Sequence, residues 1–361
     1  MEENGMAVTN FFLGANSGDG FQNLFYQLAE DSTLRDLIIL KGGPGVGKST
    51  FMKQIGRAME DAGTAVEYLW CSGDPDSLDG VYLPELHCGV ADGTAPHVLE
   101  PAYPAAVQRY VDLGRFYDLT AAKENREEII RLTEENHRAY ARAYHSLKAA
   151  RQVELEAETE TGRTFDCRRA QRRLRGILAR EFRGRGEESG KVQKRFLGSV
   201  THRGYIWRFD SVEALCPKVY EFSDSCGLAA ESLRQIAGTA AERGWDVITC
   251  PCPEEPGRLE HLLIPGLGLA FVTSRPGMEY PGKICRRIRM DAMAHPEDRA
   301  RLRFAARMAG LLRRDGVAAL QEAKDFHDAL EAVYNPYVDF DGVRAQAALE
   351  ISRLQSWMIA G

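Results

Sequence analysis

Gly42, Gly47, Lys48 and Ser49 stand in the order G-x-x-x-x-G-K-[ST], with Gly43, Pro44, Gly45 and Val46 between them. This spacing suits the holding of a phosphate chain. Glycines let backbone N–H groups turn inward and approach phosphate oxygens with no Cβ in the way. A helix starting near Lys48 would aim the positive end of its dipole at the same point. Lys48 supplies a point charge for the β and γ phosphates, and the Ser49 hydroxyl is an oxygen ligand for Mg²⁺. Gly42 to Ser49, with Thr50 in support, are therefore the expected nucleotide-holding residues, and ATP with Mg²⁺ the expected ligand. The bland alternative is a glycine turn that only joins a strand to a helix.

The elements around these residues fit the first reading. Leu37 to Leu40 is a short apolar run of the kind found in buried parallel strands. Beyond Thr50, the residues Phe51, Met52, Ile55 and Met59 recur at helical spacing. Ala65 to Cys71 reads as a second strand, followed by Asp74, Asp76 and Asp79. In open α/β sheets ligands sit beyond the carboxyl ends of strands. The three aspartates either cap the next segment, hold an attacking water, or take a proton from a substrate hydroxyl. Asp74 and Asp76 are the candidates for placing the nucleophile, beside Lys48 as the catalytic cation. A third short strand ends at Asp92, where a carboxylate could join Ser49 on Mg²⁺. Its alternative is a turn former before Gly93. His97 either touches phosphate or bonds locally.

The chain repeats itself. Shifted by 181 residues, Gln54, Ile55, Gly63, Val66 and Cys71 meet Gln235, Ile236, Gly244, Val247 and Cys252, and Pro75, Leu78, Pro84 and Leu86 meet Pro256, Leu259, Pro265 and Leu267. Random pairing over such a stretch would give about two matches, so an internal duplication is expected. "FFLG" and "RFLG" also match, as do "HRAYARAY" (137–144) and "HDALEAVY" (327–334). In the second copy Gly47, Lys48, Ser49 and Asp92 meet Leu228, Ala229, Ala230 and Thr273, so no nucleotide site is expected there. Asp224 would place negative charge where phosphate should go.

Residues 121–160 and 297–334 carry apolar positions at helical spacing and read as arms or lids. From Arg163 to Arg195 there are twelve Lys or Arg against four Asp or Glu. This stretch reads as a solvated helix or as a lid offering Arg168, Arg169, Arg172 and Arg173 to phosphate. Nucleic acid is the less favoured partner, because no aromatic platform is interleaved. "RGRGEESGK" (183–191) reads as a linker. The net charge of -6 creates no global field for nucleic acid or anionic membrane. No secretory leader or run of about 20 apolar residues is seen, and the eight cysteines are scattered. A cytoplasmic protein with reduced thiols is expected. Cys250 and Cys252 alone are two ligands short of a zinc site.

In "LKGGPGVGKSTFMKQIG", "CSGDPDSLDG", "DGTAPHVLEP" and "AKDFHDALEAVYNPYVDF" the chain resembles a little-characterised bacterial family of tandem P-loop ATPases, also described as nucleotide-kinase-like. The resemblance spans nearly the whole chain and implies ATP binding. The second half in that family often keeps a glycine-rich cradle with its own lysine, and this chain departs from it there. The expected fold is α/β, with two tandem P-loop NTPase-like three-layer α/β/α domains, 1–185 and 186–361, with mostly parallel sheets and a helical appendage on each. The expected activity is ATP hydrolysis. The alternatives are phosphoryl transfer to a small nucleoside-like or metabolite hydroxyl, or slow-turnover nucleotide sensing. No N-K-x-D guanine signature is present.

Overall fold

A computed structural model describes residues 7–182, 186 and 188–359. Of the expected linker, 183–191, residues 183–185 and 187 lie outside the described residues, as does one side of the 185/186 boundary. The first half carries β1 (Val8–Phe12), β2 (Gly14–Ser17), β3 (Gly20–Asn23), α1 (Tyr26–Ala29), β4 (Asp36–Lys41), α2 (Lys48–Asp61), β5 (Val66–Trp70), β6 (Leu78–Leu83), β7 (Cys88–Asp92) and β8 (Gln108–Asp112). Three helices follow: α3 (Leu119–Glu124), α4 (Arg126–Arg163) and α5 (Cys167–Glu181). The second half runs through β9 (Val192–Lys194), β10 (Gly198–Thr201), β11 (Gly204–Trp207), α6 (Asp210–Leu215), β12 (Lys218–Ser223), α7 (Ala230–Glu242), β13 (Val247–Cys252), β14 (Glu255–Ile264), β15 (Leu269–Ser274) and β16 (Arg286–Arg289). It ends with α8 (Arg299–Tyr334) and α9 (Phe340–Ile359).

The protein is a mixed α/β molecule with two six-stranded, mostly parallel sheets. Their orders are β1-β5-β6-β7-β4-β8 and β9-β13-β14-β15-β12-β16. In each sheet only the third strand runs against the rest. The order and sense of the strands are the same in both.

Strand alternation decides what each face meets. In β4, Leu37 and Ile39 face one side, and Ile38 and Leu40 the other. In β15 Ala270 and Val272 oppose Leu269 and Phe271 in the same way. Each outer face is covered by helices: α2 with α9 on the first sheet, α7 with α5 on the second. The two inner faces share one core, filled by Phe11, Leu37 and Leu69 from one sheet, Cys250, Leu263 and Val272 from the other, and Phe25, Phe196 and Phe209 between. This corrects the expected pair of separate three-layer sandwiches. An inner face rich in aliphatics on both halves buries itself most completely against its counterpart.

The halves also exchange helices. The α5 helix, before the expected boundary, lies on the second half's α7, and α9, at the far end, lies on the first half's α2. Helices α4 and α8 run antiparallel along one another. Asn136 Nδ2 donates to Ala323 O at 2.7 Å and Ser146 Oγ to Asp315 at 2.6 Å. Gly316 permits the approach, because a Cβ there would meet the Leu147 side chain and Ala143 O at 3.2 and 3.3 Å. The "HRAYARAY" and "HDALEAVY" segments are thus not counterparts. The first lies near the start of α4 and the second at the end of α8. "FFLG" and "RFLG" do meet: Phe12 and Phe196 exchange two backbone hydrogen bonds of 2.9 Å.

Candidate functional site

The loop Gly42–Gly47 leaves the end of β4 and enters α2. Gly45 and Gly47 have φ of 74° and 89°, a backbone region that favours glycine. Val46 is fully buried and anchors the loop, while Tyr117 donates its hydroxyl hydrogen to Pro44 O at 2.6 Å. Lys48, the first residue of α2, is folded back over the loop. Its Nζ donates to Gly42 O at 2.6 Å and Gly43 O at 3.2 Å, and stands 3.6 Å from Asp92 Oδ2. Asp92 ends β7, beside Leu40 of β4, and its other oxygen accepts from the Thr94 N–H and hydroxyl. Ser49 Oγ accepts from the Leu78 N–H at 3.0 Å. Lys48 and Asp92 therefore stand side by side, while Ser49, next to Lys48 in the chain, has its hydroxyl bonded to β6. Thr50 lies exposed on the first turn of α2.

The aspartates divide. Asp74 accepts from the Asp76 N–H at 3.1 Å and the Ser77 hydroxyl at 2.9 Å, which is turn formation, and Lys324 of α8 stands 3.7 Å away. Asp76 is exposed and forks onto Arg203 of the second half, which holds its carboxyl below the usual range. Its carboxylate is taken up by Arg203, and no ion pair or hydrogen bond among the described residues joins it to Lys48. Asp79 is the residue that joins the site. It lies on β6, one step before the Gly80–Ala91 pair, which sets it opposite Asp92. Burial pushes its carboxyl up, the nearby Asp92 adds to this, and His97 and Lys48 oppose it. His97 Nε2 is 3.4 Å from Asp79 Oδ2, and its ring is packed by Phe21 and Phe25. His97 is thus a local partner rather than a phosphate contact.

The second half reaches into this loop. Glu331, near the end of α8, accepts the Gly45 N–H at 3.3 Å. Asn335, with its amide nitrogen turned inward, donates to Gly45 O at 3.0 Å. The chain between α8 and α9 is held there by Asp118 N to Tyr337 O at 2.8 Å and Asp339 N to Phe116 O at 2.9 Å. Phe340 and Val343 of α9 then pack beside Gly47. These contributions carry no local motif, although Glu331, Asn335 and Phe340 all fall within "AKDFHDALEAVYNPYVDF".

The strands β4 in the first half and β12 in the second begin at 36 and 218, a shift of 182 rather than 181. Gly45 and Gly227, with φ of 74° and 70°, then coincide. Ala230 and Glu231 occupy the places of Lys48 and Ser49, and Asp224 that of Gly42. The α7 helix, one residue shorter than α2, restores the shift of 181 by Gly63 and Gly244. The Asp224 carboxylate accepts the N–H groups of Cys226, Leu228 and Ala229 at 2.7 to 3.1 Å. The loop has therefore turned its donors onto its own side chain. The cavity beside Asp224, Arg258, Glu260 and Arg275 holds only about 10 Å³, room for a single water.

Cys250 and Cys252 are buried on β13, and Cys252 Sγ accepts from Arg258 at 3.3 Å. Among the described residues no cluster of three or more His, Cys, Asp or Glu is placed to hold a metal by itself, and no helix is long and apolar enough to cross a membrane. Mg²⁺ bound with a nucleotide needs only one or two protein oxygens, with phosphates and water as the rest. Ser49 and Asp92 fit that demand. No family model, curated protein or solved structure matches the chain.

Proposed function

We propose that the chain binds ATP with Mg²⁺ at the Gly42–Ser49 loop and hydrolyses it, and that the second half is a duplicated P-loop unit without a nucleotide site. The observation that carries this reading is the contrast between the two loops. In the first, Lys48 stands beside Asp92 over a turn whose Gly45 N–H points at a carboxylate from outside the loop. In the second, the same turn spends its N–H groups on its own Asp224, with Ala230 where a cation would be needed. The shared strand order and the coincident glycines support the duplication.

In this reading the loop N–H groups and Lys48 hold the phosphates. Ser49 and Asp92 would hold Mg²⁺, which would supply positive charge to offset that of the phosphates. Asp79, buried beside Asp92, is placed to orient an attacking water through one of its oxygens. Glu331 occupies a donor that phosphate needs, so α8 must shift when ATP enters. This links the nucleotide to the long arms.

The test is calorimetric titration of ATP with and without Mg²⁺, together with phosphate release. Lys48→Ala should weaken ATP binding by about 100-fold or more, since charge-assisted phosphate contacts are each worth about 1.5 to 3 kcal/mol. Ala230→Leu, in the second loop, should leave binding unchanged. Equal binding by wild type and Lys48→Ala overturns the reading. Release that needs an added nucleoside or metabolite would move the activity from hydrolysis to transfer.

A further inference from the structure

The outer face of α5 carries charge that the fold does not need. The helix buries Ala170, Leu174 and Ile177 against the second half and exposes Arg168, Arg169, Arg172, Arg173 and Arg175. None of these five has an acidic partner within 4.0 Å among the described residues. The edge strand β16 runs alongside. Its Arg286 pairs in register with Tyr220, whose hydroxyl accepts from Arg180 of α5. Asp166, which caps α5, donates its N–H to Met293 O just beyond β16. Arg286 and Arg289 are exposed on this edge.

The other half provides a control within the molecule. There α9 occupies the corresponding place, on α2, and carries only two arginines: Arg344 is paired with Asp341, and Arg353 lies over the Trp357 ring. Arg109 of β8 sits where Arg286 sits in the second sheet, and it is neutralised by Asp36 and Glu350. A helix in this position is therefore stable without excess charge. In α5 the arginines work against stability. Arg168 and Arg169 lie in the first turn, where cations oppose the helix dipole, and 168/172 and 169/173 are like-charge pairs one turn apart.

We infer that this face binds the phosphate backbone of double-stranded nucleic acid, an activity separate from the loop at Lys48. Five charges along about 11 Å of helix approach the duplex density of one phosphate per roughly 1.7 Å. Guanidinium forks suit phosphate oxygens. A membrane surface fits poorly, because the exposed α5 residues other than arginine are polar or small and no large apolar side chain accompanies them. A single strand fits poorly as well, because no aromatic side chain is exposed on the face for bases to stack on. Since the whole chain carries a net charge of -6, the attraction must be local to this patch.

The experiment is fluorescence anisotropy of the full chain with labelled duplex DNA, duplex RNA and one single strand, between about 50 and 200 mM salt. Sedimentation with phosphatidylserine vesicles runs beside it. We expect both duplexes to bind, with a log–log salt slope near about -4 to -5. The variant with Arg168, Arg169, Arg172 and Arg173 all changed to Gln should lose roughly 100-fold at the low-salt end and most of that slope. Arg344→Gln with Arg353→Gln on α9 should change nothing. Should the fourfold variant fold poorly by circular dichroism, Arg172→Gln with Arg173→Gln should still flatten the slope by about 2. Absence of duplex binding at about 50 mM salt overturns the inference. So does duplex binding that the arginine variants leave intact, tighter binding of the single strand, or retention by vesicles alone.

Discussion

Asp79 shows how a single residue can be visible in a sequence and still be misplaced. "DSLDG" carries the letters of a turn, and Asp-Gly is a strong turn signal. Here Gly80 has another use: a Cβ would come within 2.9 Å of Leu69 Cδ1 and 3.2 Å of Val90 O, so glycine lets β6 lie between its neighbours. Asp79 is thereby carried into a buried strand opposite Asp92. Lys48 and Ser49 could be named because a motif fixes their spacing along the chain, and Asp92 because it ends a short strand. The pairing of two carboxylates depends on strand register, which no spacing records. Because burial raises the Asp79 carboxyl, the native state keeps its proton to higher pH than the unfolded chain does. Its ionisation therefore subtracts stability progressively as pH rises above about 4. Asp79→Asn should melt above wild type at pH 7, by a margin that shrinks toward pH 4, while phosphate release falls by about 100-fold. Equal melting temperatures at both pH values would contradict this placement. His261 behaves in the opposite sense. Burial takes it down to about 4, so stability is complete above its unfolded value near 6.5 and drains away as pH falls toward 4. His261→Gln should flatten the acid limb of a melting-temperature profile between about pH 6.5 and 4.

At the scale of elements, α8 is both structural strut and latch. Its periodicity was readable from residue 297 to 334, and the helix spans Arg299–Tyr334. Which loop its end would reach was not readable, since that follows from antiparallel packing on α4 and from the backbone bonds at Tyr337 and Asp339. Glu331 holds the Gly45 N–H, and the neighbouring His327 keeps its carboxyl below the ordinary range, so under the proposed function it is an anion competing with phosphate for the loop. A ligand must displace that contact at a cost of about 1 kcal/mol. Glu331→Ala should accordingly tighten ATP binding by about fivefold in calorimetry, and an unchanged or weakened affinity would show the contact to be passive. A related arrangement closes the second loop. Glu158, near the end of α4, bonds Arg258 at 2.8 Å, and Arg258 lies against Gly227. Each arm thus ends over the loop of the opposite half.

Across the whole molecule the halves are bound by more than apolar contact. Arg195, next to the Phe12–Phe196 bridge, donates to Glu67 of β5 at 2.6 Å, and both side chains are almost fully buried. Arg195→Ala would leave Glu67 charged, buried and unpaired, which costs about 3 to 5 kcal/mol. Urea titration should show this as a lower midpoint in a single transition, because the shared core couples the halves. Two resolved transitions would mean that the halves unfold separately. The self-similarity of the chain suggested two similar halves, and the two sheets do share one strand order. The joined inner faces were not, because an aliphatic face reads the same whether a helix or another sheet covers it.

The placement of α9 bears on how the chain is made. Val343, Ala347 and Leu354 finish the apolar layer over α2, yet these residues leave the ribosome after everything else in both sheets. The Gly42–Gly47 loop and α2 must therefore wait, with an oily flank bare, through synthesis of the entire second half. A premature stop ahead of Phe340 would strand the nascent product in that state and expose it to aggregation and proteolysis.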